Sequence, residues 1–386
     1  MRLEGALLES TIAAALEPGE RSEAASSRLF REWVEPLSDS FTAAGVEEYL
    51  RVFPEILAAA LPGCRAAAIR ERYQRLRSRG PFAGPKETVC DVVVLSRVTL
   101  GADVAVTSVA LDAARKAFPN ATLHLAGNRK NWEMFAAERR LRLLEAPYAR
   151  QDGLRGRLEA SALLATRIPD GAVVIDPDSR LSQLGLIPMG DEERYYFFES
   201  RSAGGGGTLG QLTAEWCRRM FGVAGRAWIA PEKGLLTSPR VCVSFGTGGN
   251  PDKGLGPEFE AGVLRHLAQR GLPVLADKGM GGEESERVER AAAGLAGVET
   301  WLGAFAPFAF EIARAPLYIG YDSSGQHVAA AAGTPLVCAF QGAPSERFFE
   351  RWRPHGAGPA RVVRAASDPL GEVCRAADDL ISRRVS

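Results

Sequence analysis

The sequence carries no excess charge of either sign, no long apolar run and few cysteines. Lys and Arg together number 47, as do Asp and Glu. A general nucleic-acid binder shows a basic excess, so that class is set aside; a small anionic ligand needs only one local site and is untouched by the balance. No apolar stretch reaches transmembrane length without interruption. The start of the chain, with Arg2, Glu4 and Glu9, lacks the basic-then-apolar order of a secretory signal. The six cysteines (Cys64, Cys90, Cys217, Cys242, Cys338 and Cys374) form no C-x-x-C pair. Three lie in apolar segments as small buried hydrophobes, which suits a reducing compartment. The glycines of the stretch Gly246–Lys253 are not spaced as the G-x-G-x-x-G fingerprint, nor do they form a Walker loop. No His/Cys cluster suggests a metal, and Asp176-Pro177-Asp178 fits an Asp-x-Asp motif only by letter.

What is there is an ordinary globular composition over 386 residues, with 46% apolar and 24% charged residues. That length holds two domains and an extension. Residues 1–80 show helical periodicity in four stripes: Leu3, Leu7, Leu8, Ile12 and Leu16; Phe30, Trp33, Val34 and Leu37; Tyr49, Leu50, Phe53, Ile56 and Leu57; Ile69, Tyr73 and Leu76. Breaks fall at Pro18-Gly19, Ser38–Ser40 and Pro62-Gly63. Four helices follow, read as a cap on the main body, with a partner or membrane surface as the alternative. Beyond the Pro/Gly-rich linker at 80–85 the pattern changes. Val92–Leu95 reads as a buried parallel strand, Arg97–Ala102 as a turn and Val104–Phe118 as a helix. Strands follow at Thr122–Ala126, Val173–Ile175 and Tyr195–Phe198, then a helix at Leu212–Phe221. Pro231–Pro239 reads as a hinge. A second alternating half contains strands Val241–Phe245, Pro273–Ala276, Val298–Trp301, Leu317–Tyr321 and Leu336–Phe340, with helices at 257–270, 284–295, 308–314, 327–332 and 370–384. The expected fold class is α/β: two doubly wound Rossmann-like domains facing a cleft, 86–235 and 236–386, behind an all-helical extension, 1–85. The two halves share no visible sequence repeat.

Three loops at expected strand ends carry candidate chemistry. After Val241–Phe245 come Gly246-Thr247-Gly248-Gly249-Asn250-Pro251-Asp252-Lys253, where glycines admit close backbone approach and Lys253 supplies a point charge for a phosphate; a solvated lysine is the bland reading. After Pro273–Ala276, Glu283 and Glu284 could accept hydrogen bonds from a diol, although acids at a helix start also suit the dipole. After Leu317–Tyr321, the run Asp322-Ser323-Ser324-Gly325-Gln326-His327 opens a helix whose free N–H groups suit a phosphate; Asp322 or Ser323 as an ordinary N-cap is the bland reading.

Taken together, these elements resemble the lipopolysaccharide heptosyltransferases of glycosyltransferase family 9, which use ADP-heptose. The resemblance rests on the turn at 322–327 and the following Ala-Ala-Ala-Gly-Thr-Pro run, on the loop ending in Lys253, and on Asp103-Val104-Ala105-Val106-Thr107. It covers about residues 90–345. Ser324 and Ala102 stand where the family has glycine. The resemblance implies a GT-B fold and an inverting enzyme. A sugar would pass from a nucleotide-diphosphate donor to a hydroxyl of a glycan or lipid-linked acceptor. It implies Asp103 as catalytic base (an N-cap on the bland reading). Donor contacts would come from Gly246, Thr247, Gly248, Gly249, Lys253, Glu283, Glu284 and 322–327, acceptor contacts from Arg97 and Thr107. Further implied are no required cofactor or metal, no nucleic-acid partner, and a cytoplasmic place, with peripheral contact at the inner membrane face left open. The alternatives are a non-catalytic nucleotide-sugar-binding or scaffold protein and a GT-B-like sugar-nucleotide epimerase.

Overall fold

The computed structural model describes every residue except 1–4, 18–19, 62, 149–151, 233, 235–237, 365 and 386. It divides into two compact units. The first comprises Met1–Thr99, Ala110–Trp132 and Arg140–Gly225; the second comprises Leu100–Val109, Glu133–Arg139 and Arg226–Ser386.

The sheet of the first unit contains β1 (Asp91–Leu95), β2 (Thr122–Gly127), β3 (Leu141–Glu145), β4 (Val173–Asp176) and β5 (Tyr195–Phe197), in the order β3-β2-β1-β4-β5. Every pairing is parallel, with Val93 opposite His124 on one side and Val174 on the other. Val92, Val93, Val94 and Leu95 are fully buried, as expected of a parallel strand covered on both faces. Before β1, helices occupy Gly5–Leu16, the continuous run 20–39 (Glu20–Arg28, a π-helical turn at Leu29–Val34, and Glu35–Asp39), Ala43–Ala60 and Ala66–Arg77, followed by a 3₁₀ turn at Lys86–Thr88. Thr42 starts the third run by accepting a hydrogen bond from the Gly45 amide at 3.1 Å, an N-cap of the usual kind. Phe30, Trp33, Tyr49, Phe53, Ile56, Tyr73 and Leu76 share one apolar cluster with Val93, Leu95, Val174 and Phe197. The helices and the sheet of this unit therefore have a common core. Of the expected first stripe, Leu3 lies outside the described residues, as do Pro18-Gly19, Pro62 and residues 233 and 235–237 of the expected hinge.

The sheet of the second unit contains β6 (Val241–Ser244), β7 (Val274–Asp277), β8 (Val298–Trp301), β9 (Tyr318–Tyr321), β10 (Leu336–Phe340) and β11 (Ala360–Arg364), all parallel, in the order β11-β10-β9-β6-β7-β8. In each sheet the order reverses beside its first strand, between β1 and β4 and between β6 and β9. Such a switch point opens a crevice outside the carboxyl ends of the strands, where ligands of open α/β sheets bind.

Three differences from the sequence reading have physical causes. The helix expected from Val104 begins at Leu100, because Gly101, which reads as a turn residue, sits in the helix at a close contact described below. The helix expected from His327 begins at Ser324 for a similar reason at Gly325. Strands β3 and β11 and the helix Glu346–Trp352 were not anticipated. The two strands lie at sheet edges and are only partly buried, so they lack the continuous apolar run that marks a central strand. Among the described residues, no helix is long and apolar enough to cross a membrane.

Candidate functional site

In the second unit, the loops leaving β6 and β9 meet at the switch point. After Ser244 the chain turns at Gly248 and Gly249, whose φ values of 63° and 84° lie where only glycine is unstrained. The Asn250 side chain then accepts from the Asp252 amide at 3.1 Å and starts a single 3₁₀ turn, Pro251–Lys253. That turn delivers the Lys253 ammonium to Asp322, 2.7 Å from Oδ2 and 3.0 Å from the carbonyl oxygen. The other carboxylate oxygen of Asp322 accepts from the Gln326 side-chain amide. Asp322 is only 4% exposed, so its charge is matched by a cation and a polar donor, as burial requires. Lys253 is thus neither simply solvated nor a lone charge. It holds the two loops together, and its ammonium has three protons to share.

The helix Ser324–Ala332 starts beside this pair. Ser323 is the N-cap residue, but its side chain makes no cap hydrogen bond; Asp322 instead pairs with Lys253. The helix end therefore offers N–H groups and a positive dipole end to the space above the strands. The helix lies tight on β9, since a β-carbon at Gly325 would stand 2.0 Å from the Tyr318 hydroxyl. Burial pushes the His327 imidazole down to about 4, with the Asp322 charge opposing and Lys253 reinforcing. The ring is neutral at pH 7 and packs edge-on against Trp352.

The segment carrying Asp103 belongs to this same unit. A β-carbon on Gly101 would stand 3.2 Å from His327 Cδ2 and 3.4 Å from Ser324 Cα, so the glycine lets the Leu100–Ala102 turn reach the start of the Ser324–Ala332 helix. Ala102 has φ −68°, so glycine is not required there. Asp103 opens a π-helical turn, Asp103–Thr107, a distortion that often marks functional positions. It is not an N-cap, because residues 100–102 are already helical. Its carboxylate is fully buried and accepts from the Thr107 hydroxyl at 2.6 Å.

The loop after β7 turns Glu284 inward and leaves Glu283 exposed. The Glu284 carboxyl lies against backbone, since β-carbons at Gly279 and Gly246 would stand 2.3 and 3.1 Å from it. Burial raises its pKa, and the neighbouring Asp277 charge adds to the rise. Asp277 itself accepts from the Ser244 hydroxyl at 3.1 Å and the Gly279 amide at 3.0 Å. Behind this loop, Glu260 joins Arg287 at 2.6 Å and the Tyr321 hydroxyl at 3.1 Å, and Tyr321 in turn accepts from the Leu255 amide. Tyr321, Asp277 and Gly101 had no assigned role in the sequence reading. A hydroxyl or carboxylate closing an apolar strand is the signal that marks the first two. Gly101 has no sequence signal, because its role is set by a contact with His327, distant in the chain.

Arg97 lies in the first unit, where one guanidinium nitrogen donates to the Pro177 carbonyl at 2.6 Å and the Ser200 hydroxyl at 3.0 Å. The second unit thus gathers Asp103, Thr107, Lys253, Glu284 and 322–327. Among the described residues, no three His, Cys, Asp or Glu side chains cluster closely enough to hold a metal ion. Cys217, Cys242 and Cys338 are buried, and Cys64 and Cys90 are exposed.

No protein-family model matches the chain, and no curated protein matches it in sequence. Solved structures do. A glycosyl transferase of family 9 from Veillonella parvula superposes with TM-score 0.58 at 18% identity, over 79% of this chain and 100% of that one. An E. coli heptosyltransferase determined with ADP gives 0.56 at 15%, over 76% and 99%. The E. coli ADP-heptose lipopolysaccharide heptosyltransferase II gives 0.56 at 15%, over 77% and 100%. At these identities the likeness is one of fold, an α/β fold with two parallel sheets amid helices in this chain.

Proposed function

We propose that the chain is a glycosyltransferase of GT-B type that transfers a sugar, with inversion, from an ADP-heptose-like nucleotide-diphosphate donor to a hydroxyl of a glycan or lipid-linked acceptor. The observation that carries the reading is the meeting of the two loops at the β6/β9 switch point, where Lys253, glycine backbone and an uncapped helix start converge. Together they suit a diphosphate. Lys253, the backbone of Gly246–Gly249 and the N–H groups of the Ser324–Ala332 helix would take up the negative charge that develops on the leaving diphosphate. Glu284 would accept hydrogen bonds from the ribose hydroxyls. Asp103 would take the proton of the acceptor hydroxyl as its oxygen attacks the anomeric carbon, and the electron pair of the broken glycosyl–phosphate bond would leave on the diphosphate. The acceptor would be held by the half spanning 86–235, with Arg97 and Thr107 as contacts, and the donor by 236–386, behind a helical extension over 1–85. The likeness of fold to heptosyltransferases supports this assignment, and a cytoplasmic place accords with it.

The full burial of Asp103 favours one rival, a protein that binds the nucleotide sugar without turning it over. A thermal-shift screen with ADP, UDP and GDP, followed by turnover assays with their sugars, separates the two. A ligand at a hundred times its Kd stabilises the folded state by about 2.7 kcal/mol. A shift with ADP together with release of ADP from the sugar donor is the expected result. No shift with any nucleoside diphosphate would overturn the donor site, and a shift without turnover would leave the binding protein.

A further inference from the structure

The first unit has its own switch point, between β1 and β4, and the backbone there is strained. Val98 follows β1 at φ 75°, and Asp178, Gln183 and Leu184 follow β4 at 66°, 46° and 59°. None is glycine. Left-handed backbone at such residues persists only where the surroundings over-determine it, and it clusters at functional sites.

This loop is held partly by its own bonds, through Asp176, Ser179 and Ser182 and from the Ser161 hydroxyl, and partly by the N-terminal helices and one buried arginine. The Tyr49 hydroxyl donates to the Gln183 carbonyl at 3.1 Å, Arg72 to the Gly185 carbonyl at 2.9 Å, and Arg180 reaches back to the Ser38 hydroxyl at 2.9 Å. Arg201, 2% exposed, donates to the Leu184 carbonyl at 3.4 Å and the Tyr73 hydroxyl at 3.2 Å. It pairs with Asp178 at 3.3 Å and lies over the Tyr49 ring at 4.5 Å. Tyr73 donates in turn to Glu199, which Arg77 neutralises at 2.6 Å. Asp178 Oδ2 accepts from the Ser200 and Arg201 amides and the Ser200 hydroxyl. That same hydroxyl, with the Pro177 carbonyl, receives the Arg97 guanidinium.

We infer that the N-terminal helices are a positioning device for the β1/β4 switch point: through Tyr73 and Arg201 they set the strained 178–185 loop and so the direction of Arg97. Arg201 is a positioning residue that acts through Asp178 and Ser200. Its planar fork matters as well as its charge, because it meets a carboxylate, a carbonyl, a hydroxyl and a ring at once. The link to acceptor recognition rests on the function proposed above; the positioning itself does not.

The test uses the full chain with Arg201→Lys, which keeps the charge and loses the fork, and Tyr73→Phe, which removes one hydroxyl at nearly constant volume. Amide hydrogen exchange is read at Gln183, Leu184 and Gly185, and the Arg97 Nε–H resonance reports its orientation. In Arg201→Lys the three amides should exchange about tenfold faster and the Arg97 resonance should move, while β6 keeps its protection. Tyr73→Phe should act in the same direction, more weakly, and carries the test if the lysine variant does not fold. Unchanged exchange at 183–185 in both variants, acceleration spread evenly over β1 and β4, or full rescue by lysine would overturn the inference. Absence of ADP binding in the wild type would instead overturn the proposed function, and it would leave these readouts standing.

Discussion

Removing Lys253 tests how the two loops of the second unit are joined. In Lys253→Met the Asp322 carboxylate, 4% exposed, keeps the Gln326 amide and loses its cation. Breaking a fully buried pair costs about 3–5 kcal/mol. The Lys253 side chain is 20% exposed, so water replaces part of what is lost, and about 1–3 kcal/mol is the expected destabilisation. Asp322→Asn should cost a similar amount, because it leaves the ammonium unmatched. The double variant removes both charges and should lose less than the two singles added, with a coupling of about 1–2 kcal/mol. Urea denaturation of the four proteins at pH 7 measures the cycle, and calorimetric titration with ADP reads the site. Lys253→Met should also weaken ADP binding by about 1–3 kcal/mol, the range for a charge-assisted hydrogen bond. Single effects that add within about 0.5 kcal/mol would refute the coupling of the loops. Undiminished ADP affinity would remove Lys253 from the donor site, whatever its structural role.

Three further outcomes are expected. Asp103→Asn keeps the volume and a hydrogen bond with Thr107, so donor affinity should hold while kcat falls about 10²–10⁴-fold, the usual cost of losing a general base; equal transfer rates would end that role. Gly101→Val would push its side chain into His327 and Ser324 and should cost about 1–3 kcal/mol in urea denaturation, with weaker ADP binding; wild-type stability and affinity would show that the Leu100–Ala102 turn does not depend on that contact. Burial raises the Asp176 carboxyl from 3.8 to about 6, against hydrogen bonds from Ser182, Tyr195 and the Ser179 amide. The folded state then binds the proton more tightly than the unfolded chain, so this group's contribution is full below about pH 4 and declines through about pH 6, by on the order of 3 kcal/mol. His327, lowered from 6.5 to about 4, acts in the opposite sense over nearly the same window, so the difference between wild type and Asp176→Asn across pH 4–7 isolates the aspartate. A pH-independent difference would show that Asp176 is not shifted.

The sequence by itself determined the alternation of strands and helices in both halves. A buried parallel strand such as Val92–Leu95 or Leu336–Phe340 needs a continuous β-branched or apolar run, and that demand is local. It also marked the loops that hold the candidate site residues, because glycine, lysine and capping residues at strand ends are local as well. It did not determine β3 and β11, whose half-buried edges need no such run. Nor did it determine that Asp103 lies inside a helix: a glycine in a short segment reads as a turn until His327 and Ser324 are seen against it. The pairing of Lys253 with Asp322, 69 residues apart, required the β6/β9 adjacency that only the sheet order creates. The same holds for the strain at Asp178, Gln183 and Leu184. Gln and Leu do not by type call for left-handed backbone, and side chains distant in the chain, among them Tyr49, Arg72 and Arg201, are brought in by packing to help hold it there.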